Sequence, residues 1–177
     1  DKNIIIIDNF LSNPNSVRDF ILKEDFSNDM SIKTYANDAL KKGIEAHLPS
    51  PITKWDNCHN GRYELTTCRN TRIVKYHDDT VWSGVLFLTP NADTEMGLGF
   101  HWCRGKLIKN YNDIKTHKHE EYYSVHKRDM SKWIQTDSIG NIYNRLVLFK
   151  SNKFVSDLQH FGIDQNTGRL IQVFYFS

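Results

Sequence analysis

The chain has 177 residues, with 23 Lys and Arg against 21 Asp and Glu and a formal net charge of +2. That length suits one domain covering residues 1–177, and a composition 39% hydrophobic and 12% aromatic can build a core, which excludes a mostly disordered chain. The near-even charge excludes a dedicated nucleic-acid binder, whose footprint is strongly basic, while eight histidines hint at metal chemistry.

Ile4–Ile7 are β-branched and end at Asp8-Asn9, which predicts a short strand and a turn. The run is far too short for a signal-peptide core or a membrane span, so no membrane partner is expected. Ser12-Asn13-Pro14-Asn15 carries helix-start chemistry, and Val17, Phe20 and Ile21 follow at helical spacing. The pattern weakens from Phe26 to Thr53, with a second helix predicted over Asp38–His47, before Pro49 and Pro51.

From about Tyr63 the chain turns to short strands. Thr71–Tyr76, Val81–Leu88, Ile142–Phe149 and Leu170–Phe176 are rich in β-branched and aromatic residues. Asp164-Gln165-Asn166-Thr167-Gly168 reads as a hairpin-type connection into the last strand. Residues 101–138 form a polar, aromatic-studded insertion or lid, expected to be a long loop with some helix. Its Tyr111, Tyr122, Tyr123 and Trp133 could wall a substrate or simply pack over the fold. Helices first and many strands later predict a mainly β, α+β domain of sandwich or jelly-roll type with flanking helices. Cys58, Cys68 and Cys103 contain no CxxC pair and leave an odd thiol, which predicts a reducing, cytoplasmic setting.

His77 and Asp79 carry the chemistry. Two residues apart in extended backbone, they point to one face and supply two of the three donors of a 2-His-1-carboxylate Fe(II) site. A solvated turn uses the same residues, so the pair needs support from its surroundings. His117 and His119 beside Glu120 and Glu121 lack the i, i+4 spacing of a zinc helix and read as a solvated loop. Cys58-His59 and His126 have no spaced partners.

The wider sequence resembles the 2-oxoglutarate/Fe(II)-dependent oxygenase superfamily, in its prolyl-hydroxylase-like branch. The resemblance runs through the opening Ile4–Leu11, Pro14 and Val17–Phe20, then His77-Asp78-Asp79 and Trp82–Ala92. Gly97-Leu98-Gly99-Phe100 resembles the branch's glycine-rich turn, and Gly140–Phe149, Phe161-Gly162 and Gly168-Arg169-Leu170 its last strands. It implies a double-stranded β-helix (jelly-roll or cupin-like) with an N-terminal strand and helix. It also implies Fe(II) held by His77 and Asp79, and Arg169 anchoring the distal carboxylate of 2-oxoglutarate. The substrate would be a small molecule or a protein side chain. Alternation along the last strand puts Arg169, Ile171, Val173 and Tyr175 on the barrel side, with Leu170, Gln172, Phe174 and Phe176 under the opening helix.

The third ligand departs from the pattern. Where the resemblance calls for a histidine, six positions past Phe149, this chain has Val155, which has no lone pair to give a metal. His160 lies five residues further on and replaces it only if Ser156–Gln159 loops out; five residues of strand span roughly 16 Å. His101 is a second conceivable donor, and Asp157 a third if its segment is irregular. Two functions are therefore expected in parallel: an Fe(II)- and 2-oxoglutarate-dependent hydroxylase with His77, Asp79 and His160 on the metal, or a non-catalytic binding domain on the same fold.

Overall fold

A computed structural model describes residues 3–23, 34, 35, 37–77, 79–104, 108–117 and 119–177. Much of the weakly patterned stretch after Phe26, and Asp78 of the His77-Asp78-Asp79 run, lie outside the described residues. In chain order the elements are β1 (Ile4–Ile7), α1 (Pro14–Leu22), α2 (Asp38–Glu45), β2 (Arg62–Thr66), β3 (Trp82–Phe87) and β4 (Leu98–Cys103). Then come α3 (Tyr111–His117), α4 (Glu120–His126), a 3-10 turn at Met130–Lys132, β5 (Trp133–Ile139), β6 (Leu146–Lys150), β7 (Phe154–Asp157) and β8 (Arg169–Phe176).

The helices start where side-chain oxygens can cap them. Asn13 accepts from the Ser16 amide, and Pro14 occupies the first turn, where its missing N–H has no partner to lose. Asn37 caps α2 by accepting from the Leu40 amide at 2.8 Å. Helix α1 turns Val17 and Ile21 inward, and α2 turns Leu40 and Ile44.

The strands form two antiparallel sheets, ordered β1-β6-β3-β8-β2 and β5-β4-β7. The larger sheet has one core on each side. Leu170, Phe174 and Phe176 of β8 join Val17, Ile21, Leu40 and Ile44 beneath the helices. Ile171 and Val173 join Val85, Phe87, Leu98 and Phe100 between the sheets. The alternation read along the last strand is therefore the one the fold uses. Burial of one such Phe or Ile contributes about 1.5–3 kcal/mol.

Four predicted features differ. Gly97–Phe100 is not a turn: Leu98 opens β4, whose Leu98–Phe100 segment pairs with β5 on one side and β7 on the other. A Cβ at Gly97 would run into the Ile139 carbonyl, so glycine is needed for this close approach rather than for a turn. The 164–168 connection is no hairpin, because β7 and β8 lie in different sheets. It is a crossover fastened by Asp164 Oδ1, which accepts from the Asn166 and Thr167 amides and the Thr167 hydroxyl, and by Gly162 at φ +73°. Strand character in 71–76 shrinks to one bridge, Lys75 to Val155. Finally, residues 101–103 and 133–138 belong to β4 and β5, so the connection proper between Cys103 and Trp133 carries α3 and α4.

That connection packs as a third core. Ile108, Ile114 and Trp133 bury against Val74, Cys103 and Phe154, with Tyr76, Tyr111, Tyr122 and Tyr123 around them. Tyr76 stacks on Tyr111 at 4.3 Å, and the Tyr123 hydroxyl donates to the Val74 carbonyl at 2.8 Å. Of the two roles open to these aromatics, packing is the one the structure shows. Among the described residues, no helix is long and apolar enough to cross a membrane.

Candidate functional site

The chain leading into β3 runs along β7, because the Lys75 and Val155 backbones exchange hydrogen bonds of 2.7 and 2.9 Å. Residues directly opposite in an antiparallel pair share a face, and so does the residue two positions on. Lys75, Val155 and His77 accordingly all line one cavity between the sheets, with β3 and β8 opposite. Its volume is about 60 Å³, several times the roughly 10–15 Å³ that one water needs. Val85, Leu98, Phe149, Val155, Ile171 and Val173 make the walls apolar.

Polar groups gather at two places on that wall. Near His77, the Ser83 and Ser151 hydroxyls lie 2.8 Å apart, and Thr80 lies 3.0 Å from Ser151. The His77 amide donates to the Ser151 carbonyl at 2.8 Å, and its ring stacks on Tyr175 with centroids 4.1 Å apart. Burial pushes the Tyr175 hydroxyl up to about 12, so it stays protonated at neutral pH. Lys75 and Glu64 form the other place, an ion pair at 3.5 Å, and Ser156 and Asp157 of β7 also belong to the lining.

Asp79 is exposed and stands outside this cavity, in an adjoining groove whose wall includes His77, Tyr175, Asp56, His59 and Arg62. His77 and Asp79 thus share this groove, though only His77 also lines the cavity. The groove also holds His59, whose Nδ1 lies 2.6 Å from Asp56 Oδ2. Chiefly the Cys58 amide, and then His59, hold the Asp56 carboxyl below its usual range. No local sequence signal could have placed His59 in one groove with His77, because 17 residues lie between them.

His160 is elsewhere. Its Nδ1 is 2.9 Å from the Thr66 hydroxyl, and its Nε2 is 3.8 Å from Asp157 Oδ2. Thr66 pairs with Arg169 at the start of β8, whereas His77 stacks on Tyr175 near its end. Six residues of strand separate those points by roughly 20 Å, so His160 does not join His77 and Asp79. The looping-out that would have delivered it does not occur: Ser156 and Asp157 pair in register with Gly99 and Leu98. His101 does not line the cavity either. It is buried, with Nε2 2.8 Å from the Ser156 hydroxyl, and burial, with a smaller push from Arg72, lowers its pKa to about 4.

Arg169 is wholly buried but does not line the cavity. Its Nη2 lies 2.7 Å from Asp157 Oδ1, and its guanidinium lies over the Phe87 ring at 5.5 Å. Asp157, which does line the cavity, also uses its backbone carbonyl to accept from Arg72 Nε at 2.8 Å. Burial pulls the Arg169 pKa down, opposed by Asp157 and Glu64.

These residues do not fit the iron that the resemblance implies. Position 155 faces the cavity beside His77, and its side chain is a hydrocarbon. Among the described residues, no three His, Cys, Asp or Glu side chains come together as a metal would need.

No family model and no curated protein matches the sequence. Solved structures do match. A prolyl 4-hydroxylase from Phytophthora capsici has a TM-score of 0.55 at 11% identity, over 100% of this chain and 59% of that one. A prolyl hydroxylase from Trichoplax adhaerens, in complex with a hypoxia inducible factor peptide fragment, has 0.48 at 14% identity over 98% of this chain and 83% of that one. HygX from Streptomyces hygroscopicus, with nickel and 2-oxoglutarate bound, has 0.46 at 10% over 99% and 82%. At such identities the likeness is one of fold, and the Phytophthora enzyme carries it. By fold this chain is similar to the prolyl 4-hydroxylases: mainly β, with two antiparallel sheets and a few helices.

Proposed function

We propose that the chain is a binding domain on the prolyl-hydroxylase fold, in which the iron chemistry of that fold is not assembled. The observation that carries this reading is Val155, seated on the cavity wall beside His77 at the position where the third donor is required. The ligand is a small molecule or a side chain, apolar over most of its length, because the walls are Val, Ile, Leu and Phe. Its hydrogen-bonding end meets Ser83, Ser151 and His77. Binding follows from burying that apolar surface, while the hydroxyls fix its orientation.

The other reading, an Fe(II)- and 2-oxoglutarate-dependent hydroxylase, has one observation in its favour: His77 and Asp79 share a groove. An anaerobic titration with Fe(II), or with Mn(II) in air, with and without 2-oxoglutarate, separates the two. Wild type is expected to show no saturable metal binding at millimolar concentration and no 2-oxoglutarate turnover. Val155→His supplies the absent donor and is expected to gain binding at least tenfold, lost again when combined with His77→Ala. Metal binding by wild type that tightens with 2-oxoglutarate and vanishes in His77→Ala would overturn the proposal.

A further inference from the structure

We infer that Asp157 is a built-in substitute for a ligand carboxylate on Arg169, and that it closes this end of the cavity to acids. A guanidinium offers five N–H donors in a planar fork suited to a carboxylate. Arg169 is 0% exposed, so it cannot find that partner in bulk water. Its close anionic partner is Asp157 Oδ1, 2.7 Å from Nη2, yet none of Nε, Nη1 and Nη2 has a partner in hydrogen-bond geometry among the described residues. The charge is therefore paired while the donors of the fork are left unused, as befits a group facing one oxygen of a side chain held in a strand.

Position explains why the pair closes a site. Asp157 is on the cavity wall and Arg169 is behind it, off the wall. Shortening residue 157 by its carboxylate opens the cavity onto the guanidinium. With Asp157 in place, the nearest charges an entering ligand meets at this end are the carboxylates of Asp157 and Glu64, with Lys75 paired to the latter. An acid is repelled there, and Arg169 is already neutralised. The cavity proposed above as a binding site thus takes ligands without an acid group; only this statement of ligand class rests on that proposal, and the Asp157 substitution stands without it.

Chemical rescue tests the inference. Thermal unfolding is followed for wild type, D157A and D157A/R169M with sodium formate, sodium 2-oxoglutarate or sodium chloride at equal ionic strength. D157A is expected to melt below wild type and to regain several degrees with formate or 2-oxoglutarate but not chloride. The gain should follow the mass-action dependence of a bound ligand. Neither wild type nor D157A/R169M is expected to show the carboxylate-specific rise. If D157A does not fold in chloride, refolding yield in formate against chloride is the readout, with D157N as the isosteric second variant. A folded D157A with no carboxylate-specific rise overturns the inference. So does a wild type stabilised by the acids as much as D157A, or a failure of formate to restore folding. Metal binding by wild type would leave these results unchanged, so this test and the metal titration fail independently.

Discussion

Asn144 shows how much one residue can fix. It sits at φ +63°, in the left-handed region that residues with a Cβ enter at a cost of about 1–2 kcal/mol. Its Oδ1 accepts from the Leu11 amide and its Nδ2 donates to the Leu11 carbonyl, both at 2.8 Å. Its own amide meets the Phe87 carbonyl, and its carbonyl meets the Phe10 amide. One side chain thus ties the turn before β6 to the turn after β1. Asn144→Ala keeps the strain and deletes both side-chain bonds at a part-buried site, and is expected to cost about 2–3 kcal/mol in urea unfolding. Asn144→Gly deletes the bonds but relaxes the backbone, so it is expected to fall between alanine and wild type. A glycine variant no more stable than alanine would show that the left-handed backbone plays no part.

At the scale of elements, α1 is held to the rest by Arg18 as well as by its apolar face. Arg18 is buried, with Nη1 donating to the Leu88 carbonyl at 2.6 Å and Nη2 to the Asn166 carbonyl at 3.0 Å. One planar fork therefore clamps the end of β3 and the 164–168 crossover to the helix. Arg18→Ala strands both carbonyls and is expected to cost about 2–3 kcal/mol, with Arg18→Lys recovering less than half, since a point donor cannot serve two divergent acceptors. Full recovery by lysine in urea unfolding would show that the fork geometry is unimportant. Helix α1 itself was readable in sequence, because its cap and its Val17–Ile21 face are local signals. The faces of β8 were readable for the same reason. Strand β4 was not: all its residues but Trp102 are buried, which erases alternation, and Gly99 within it and Gly97 just before it imitate a turn. Likewise the crossover resembled a hairpin because turn chemistry is local, while the choice of sheet for the next strand is not. In the candidate site, His77 and Asp79 were legible as a spaced pair. The pairing of Asp157 with Arg169, and the arrival of His59 beside Asp79, depend on contacts between distant segments and left no mark on any short window.

For the molecule as a whole, the buried histidines set the response to acid. His101 falls to about 4 through burial and Arg72. His160 falls too, through burial first, with Arg169 and Lys75 adding to the drop and Asp157 opposing it. His101 stays neutral in the folded state down to about 4, whereas in the unfolded chain it protonates near 6.5, and the His160 shift has the same direction. Between those values the unfolded chain holds more protons, so stability is fully present above about pH 6.5 and is lost as pH falls toward 4. For His101 the loss is at most about 3.5 kcal/mol, at 1.4 kcal/mol per pKa unit. The carboxyls of Asp8, Asp56, Asp129 and Asp164 are held below 3.8 by their hydrogen bonds, so their contribution disappears only at still lower pH. Acid unfolding is therefore expected to begin in the histidine window, before these four aspartates protonate. His101→Gln keeps a hydrogen-bonding group near Ser156 and has nothing to titrate. Its urea midpoint is expected to change less than that of wild type between pH 7 and pH 4.5, even if it is less stable at pH 7. Parallel profiles for the two proteins would place the acid sensitivity outside His101, with His160, also buried, as the next histidine to vary.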